Sequence, residues 1–167
     1  MKSFALFKLC ILMLLLFSCN GNHSDFTTKP VKISDQGVNI AYTDSGKGDT
    51  TLLFVHGWGL NKGYWTNQVN VFSKKYRVVT IDLPGFGESG KNRTVWNTEA
   101  YGRDIDTVIS QLHLKNVILA GHSMAGDIVL QAAVNAPNQV IGLVGVDNFK
   151  MLDTPKHPRI KKIMPTL

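Results

Sequence analysis

The sequence is poor in cysteine, in clustered metal ligands and in long apolar runs, and each shortage removes a class of function. Its 167 residues hold two cysteines, Cys10 and Cys19, both within the first nineteen positions. The body of the chain therefore has no thiol for an intrachain disulfide, whatever its redox compartment. No His, Cys, Asp and Glu pattern has metal-ligand spacing, so neither a metal nor another cofactor is expected. Gly85–Phe86–Gly87 lacks the third glycine and the strand–helix setting of a dinucleotide site. The formal charge is +6, and removing residues 1–18 takes away two lysines and no acid, which lowers it to +4. No basic stripe with interleaved aromatics accompanies that mild excess, so nucleic acid is not an expected partner. Lys156, Arg159, Lys161 and Lys162 form a basic tail that reads as a solvated segment. The apolar run Leu9 to Phe17 is too short to cross a bilayer comfortably.

What is present fits one globular domain behind a targeting segment. Hydrophobic residues make up 44% and charged residues 18%, which suits a packed chain. Lys2 and Lys8, the apolar run and Ser18–Cys19 read as a signal peptide over residues 1–18. Leu16–Phe17–Ser18–Cys19 resembles the lipobox of bacterial lipoproteins. That resemblance implies cleavage before Cys19, a lipid on its sulfur, and a place in the bacterial cell envelope with the membrane as partner. A plain secretory signal or an uncleaved anchor are the alternatives. Residues 19–30 read as a polar tether.

From residue 31 the pattern alternates between strand and helix. Val31–Asp35 and Val38–Thr43 form an expected hairpin turning at Gln36–Gly37. Strands are expected at Thr51–Val55, Arg77–Asp82, Val117–Gly121 and Val140–Val146. Helices are expected from Tyr64 to Ser73, from Asn97 or Thr98 to about Leu112, and from Met124 to about Asn135. This order predicts an α/β domain over residues 31–150, with a mostly parallel sheet and flanking helices.

Three strand ends carry the chemistry. Val117–Ala120 leads into Gly121–His122–Ser123–Met124–Ala125–Gly126, a serine between small residues at a strand-to-helix turn. Thr51–Val55 leads into His56–Gly57–Trp58–Gly59, and Arg77–Ile81 into Asp82–Leu83–Pro84–Gly85–Phe86–Gly87–Glu88–Ser89. In this order the three motifs resemble the α/β-hydrolase family. The resemblance implies that Ser123 is the nucleophile on an elbow, and that the N–H groups of Trp58 and Met124 hold an oxyanion. It also implies a serine hydrolase acting on an ester or related acyl bond of a small molecule; family members that open epoxides or displace halide carry aspartate at the elbow. Asp147, closing the last strand, has two readings: triad acid, or turn aspartate in Asp147–Asn148. None of the five histidines occupies the family's place for the base. The resemblance covers only the first part of the family fold, so a truncation before the cap and the last strands is expected, with 151–167 as the start of a cap or a linker. A non-catalytic remnant, or a binding lipoprotein, is the alternative function.

Overall fold

The computed structural model describes residues 27–33 and 37–148. The expected signal peptide, Cys19, most of the tether, His157 and the basic tail lie outside the described residues. Among the described residues six strands form one sheet: β1 (Thr27–Ile33), β2 (Val38–Ser45), β3 (Thr51–Val55), β4 (Arg77–Ile81), β5 (Val117–His122) and β6 (Val140–Val146), in the order β1-β2-β4-β3-β5-β6. β1, β2 and β4 pair antiparallel, and β4, β3, β5 and β6 run parallel. β1 starts at Thr27, opposite Asp44, so the ladder reaches into the stretch read as tether. Pro30 is tolerated there because β1 is an edge among the described residues, where a missing N–H breaks no second ladder.

β3, β4 and β5 are apolar on both faces because helices cover both. α1 (Thr66–Phe72), preceded by a tight 3-10 turn at Lys62–Trp65, packs on one face. There Trp65 and Val69 meet Phe54, Val78 and Ala120. The helix expected from Tyr64 thus begins as a tighter turn, capped by Asn61, whose side chain accepts from Gly63 N at 2.9 Å. α2 (Thr98–Gln111) and α3 (Ala125–Asn135) cover the other face. The alternate residues Leu53, Val55, Val79, Ile81 and Leu119 point into them, and Ile105, Val108, Ile128 and Val129 close that core. Asn97 settles the start of α2 by accepting from Ala100 N at 2.8 Å. Among the described residues β6 lies at a sheet edge, with Ile141 and Val144 exposed. No described helix is long and apolar enough to cross a membrane.

The α2–α3 contact carries a titratable group. Asp106 Oδ2 accepts from Asn135 Nδ2 at 2.7 Å, while Oδ1 is buried without a partner among the described residues. Burial pushes this carboxyl up to about 6, against the smaller opposing effects of Asn135 and Arg103. The folded chain thus holds this proton more tightly than the unfolded chain, and stability falls as pH rises from about 4 to about 6. Asp106→Asn removes the charge. It should match the parent near pH 4 and exceed it by about 1 kcal/mol above pH 7, after a discount for partial solvent screening. Urea unfolding at the two pH values reads this directly; an equal gap at both would rule out the buried charge as its cause.

Candidate active site

The parallel strands deliver Trp58, Ser123, Met124 and Asp147 to one edge. β3 connects to β4 on one side and β5 lies on the other, so their carboxyl ends flank the crevice where open α/β sheets bind ligands. The loop after β3 and the turn after β5 meet there. A Cβ added to Gly57 would lie 2.7 Å from His122 Nδ1 and 3.2 Å from Ser123 Cβ, so only glycine lets the two segments approach so closely.

Ser123 sits at φ 51°, in the left-handed region that costs a side-chain-bearing residue about 1–3 kcal/mol. Its surroundings hold it there. Ser123 N donates to Val146 O at 2.9 Å, and Gly126 N donates to Ser123 O at 3.0 Å. The side-chain amide of Asn148 also donates to Ser123 O. The N–H groups of Trp58 and Met124 donate to no described residue. The Trp58 ring is 75% exposed and stands edge-on to Phe86, with centroids 5.3 Å apart.

The other candidates have different surroundings. Asp147 ends β6 at φ 51° and is exposed, and no hydrogen bond joins it to Ser123 or to a described histidine. His56 is fully buried with both ring nitrogens engaged: Nδ1 bonds Gly57 O at 2.8 Å and Nε2 accepts from Leu83 N at 3.0 Å. This is the neutral tautomer with the proton on Nδ1, and burial, ahead of all opposing effects, holds its pKa below the usual value. His56 therefore braces the loops after β3 and β4. The His122 ring stacks on Tyr64 at 4.9 Å, and its Nδ1 is buried without a partner among the described residues. His113 lies two residues past α2, in the turn that leads into the amino end of β5. His23 and His157 lie outside the described residues.

Asp82 organises its loop. Its carboxylate is fully buried and accepts from Lys62 N at 2.6 Å, Lys62 Nζ at 2.9 Å and Glu88 N at 2.9 Å. Ser89 Oγ donates to Asp82 O at 2.6 Å and accepts from Ala41 N at 2.9 Å, tying the loop to β2.

Beside the elbow lies a cleft of about 560 Å³. Trp58, Phe86, Trp96 and Tyr101 give it aromatic walls, and Met124 and Ile128 an aliphatic floor. Arg93 sets two of those walls: its guanidinium lies 4.7 Å from the Trp96 ring centre and 4.3 Å from that of Tyr101, and it pairs with Asp104 on α2. The sequence reading missed Lys62, Arg93, Trp96, Tyr101 and Asn148. Tyr101 alone left a signal, since it extends the Ile105–Val108–Ile109 stripe by one turn. Among the described residues no cluster of His, Cys, Asp or Glu could hold a metal ion.

Known proteins share this arrangement. Residues 50–164 match the family described as alpha/beta hydrolase fold. A pimeloyl-[acyl-carrier protein] methyl ester esterase of Yersinia enterocolitica is 33% identical over 103 residues, covering 62% of this chain and 38% of that protein. The crystal structure of a membrane phospholipase A, a bacterial virulence factor, superposes with a TM-score of 0.70 at 27% identity, covering 89% of this chain and 53% of that one. The epoxide hydrolase CorEH superposes with a TM-score of 0.68 at 25% identity, covering 72% and 42%. The chain spans between 29% and 38% of the length of the curated relatives it matches. With its motifs, its sheet and its elbow all of one kind, the chain belongs to the α/β-hydrolase fold family.

Proposed function

We propose that the chain carries the nucleophile half of a serine hydrolase acting on an ester or related acyl bond. The observation that carries the reading is Ser123, a non-glycine residue at φ 51° between β5 and α3, pressed against Gly57 of the oxyanion-type loop. In this reading Ser123 Oγ attacks the acyl carbon and gives its proton to a base. The carbonyl π electrons move to oxygen, and the N–H groups of Trp58 and Met124 donate hydrogen bonds to the oxyanion so formed. The intermediate collapses, the alcohol leaves with the proton from the base, and water then cleaves the acyl-serine by the same steps. In this reading the base is a histidine outside the described residues, which is supported by the engaged ring nitrogens of His56 and by the lack of a hydrogen bond from Ser123 to a described histidine. Asp147, which directly follows β6, keeps both its readings. The esterase relative supports acyl chemistry, and a hydroxyl at the elbow fits it better than the epoxide opening of CorEH. The reading includes export and a lipid on Cys19.

A fluorophosphonate probe tests the serine. Labelling well above that of a free serine, abolished in Ser123→Ala, is expected, and detergent-phase partitioning of the labelled band reads the lipid. Labelling at the background rate would favour the second reading, a non-catalytic remnant or binding lipoprotein. The observation behind that reading is the absence of a hydrogen bond between Ser123 and any described histidine.

A further inference from the structure

The cleft beside the elbow has an apolar body and one charge. Among the described residues Lys91 is the only charged side chain lining it, and it forms no ion pair with another of them. The volume, about 560 Å³, lies within the range of small-molecule sites, roughly 300–1,000 Å³. Such a site suits a ligand with an apolar arm and a negative end: the rings take the arm, and the lysine meets the charge at the exposed rim. With the Arg93 guanidinium behind the walls and paired with Asp104, the single ammonium of Lys91 matches a single negative charge rather than a phosphate dianion.

We propose that this site selects esters whose apolar arm ends in a carboxylate, with Lys91 as the specificity-determining residue. The proposal rests on the serine-hydrolase reading for the word ester; the ligand preference itself needs no catalysis. Trp58 and Trp96, two of the three tryptophans, line the cleft, so their fluorescence reports occupancy. The test titrates the Ser123→Ala protein with monomethyl adipate and with methyl hexanoate, which differ in the terminal charge. Monomethyl adipate is expected to bind about threefold more tightly at low salt, with the preference shrinking as salt is added. Lys91→Gln should erase the preference and leave methyl hexanoate binding unchanged; Lys91→Glu should reverse it. Lys91 is exposed, so neither change threatens folding. Equal binding of the two esters, a preference that survives Lys91→Gln, or no binding of either would overturn the proposal. A preference seen alongside background fluorophosphonate labelling would keep the ligand class and remove the hydrolase reading.

Discussion

Gly121→Ala should destabilise the protein by about 3 kcal/mol, toward the upper end of what overpacking a tight core site costs. The added methyl group would lie 2.5 Å from the Ala125 carbonyl oxygen, 2.8 Å from the carbonyl carbon and 3.0 Å from Val129 Cγ2. The first two are backbone atoms of the opening turn of α3, so no rotamer change relieves the overlap. Ala125 and Val129 are both fully buried, which leaves α3 no room to retreat without opening the core. Lifting α3 off β5 would also release Ser123 from its bonds to Val146 and Gly126, so fluorophosphonate labelling should fall with stability. Gly142→Ala is the control. Its methyl group would meet only Ile118, at 3.6 Å, which is ordinary contact, and its effect should stay within about 0.5 kcal/mol. Urea unfolding followed by the buried Trp65 compares the two. Equal stability would mean that α3 yields freely and that the elbow is not held by close packing.

This close approach was half visible in the chain itself. Small residues on both sides of a serine, after the apolar run Val117–Ala120, announce a turn whose backbone must pass near the next helix. The requirement is local, so the sequence states it. The same holds for β3 and β4, whose apolar runs end in His56–Gly57 and Asp82–Leu83, and for the Asn97 cap. Contacts that join distant stretches were not legible. Lys62 reaches Asp82 across twenty residues, and nothing in an exposed-looking Asn61–Lys62–Gly63 announces a buried partner. Arg93 reads as one more surface cation; only the folded chain places it against Trp96 and Tyr101 and pairs it with Asp104 on α2. Asn148 follows an aspartate that drew attention to itself, yet it is the asparagine that bonds to the elbow. The strand boundary at Thr27 escaped for a related reason: Thr27–Pro30 are polar or helix-breaking, and only pairing with β2 makes them a strand.

Asp82→Ala should cost about 3–5 kcal/mol, the loss expected when one member of a buried, hydrogen-bonded ion pair is removed. Three donors converge on this carboxylate, and the Lys62 side chain that supplies one of them is only 13% exposed. Without it the ammonium keeps Glu88, at 2.5 Å but far out in solvent, and the N–H groups of Lys62 and Glu88 lose their acceptor. Asp82→Asn should be little better. One amide oxygen could still accept from Lys62 N, but the amide nitrogen would then face both Lys62 Nζ and Glu88 N, setting donor against donor. Adding Lys62→Met to Asp82→Ala should recover part of the loss, because the stranded charge goes with it; the coupling in that cycle measures the pair. Glu88→Gln, at the exposed end, should cost less than about 1 kcal/mol. The consequence reaches the site. Asp82 holds the turn at Lys62 to the loop that carries Phe86, and Phe86 stands edge-on to both His56 and Trp58. Loosening that join frees the segment whose N–H is assigned to the oxyanion, so Asp82→Ala should slow labelling of Ser123 even in the fraction that remains folded. If the folded fraction labelled at the parental rate, Asp82 would be a stabiliser of the domain alone, and the placement of the Trp58 N–H would be set by His56 and Gly57 without it.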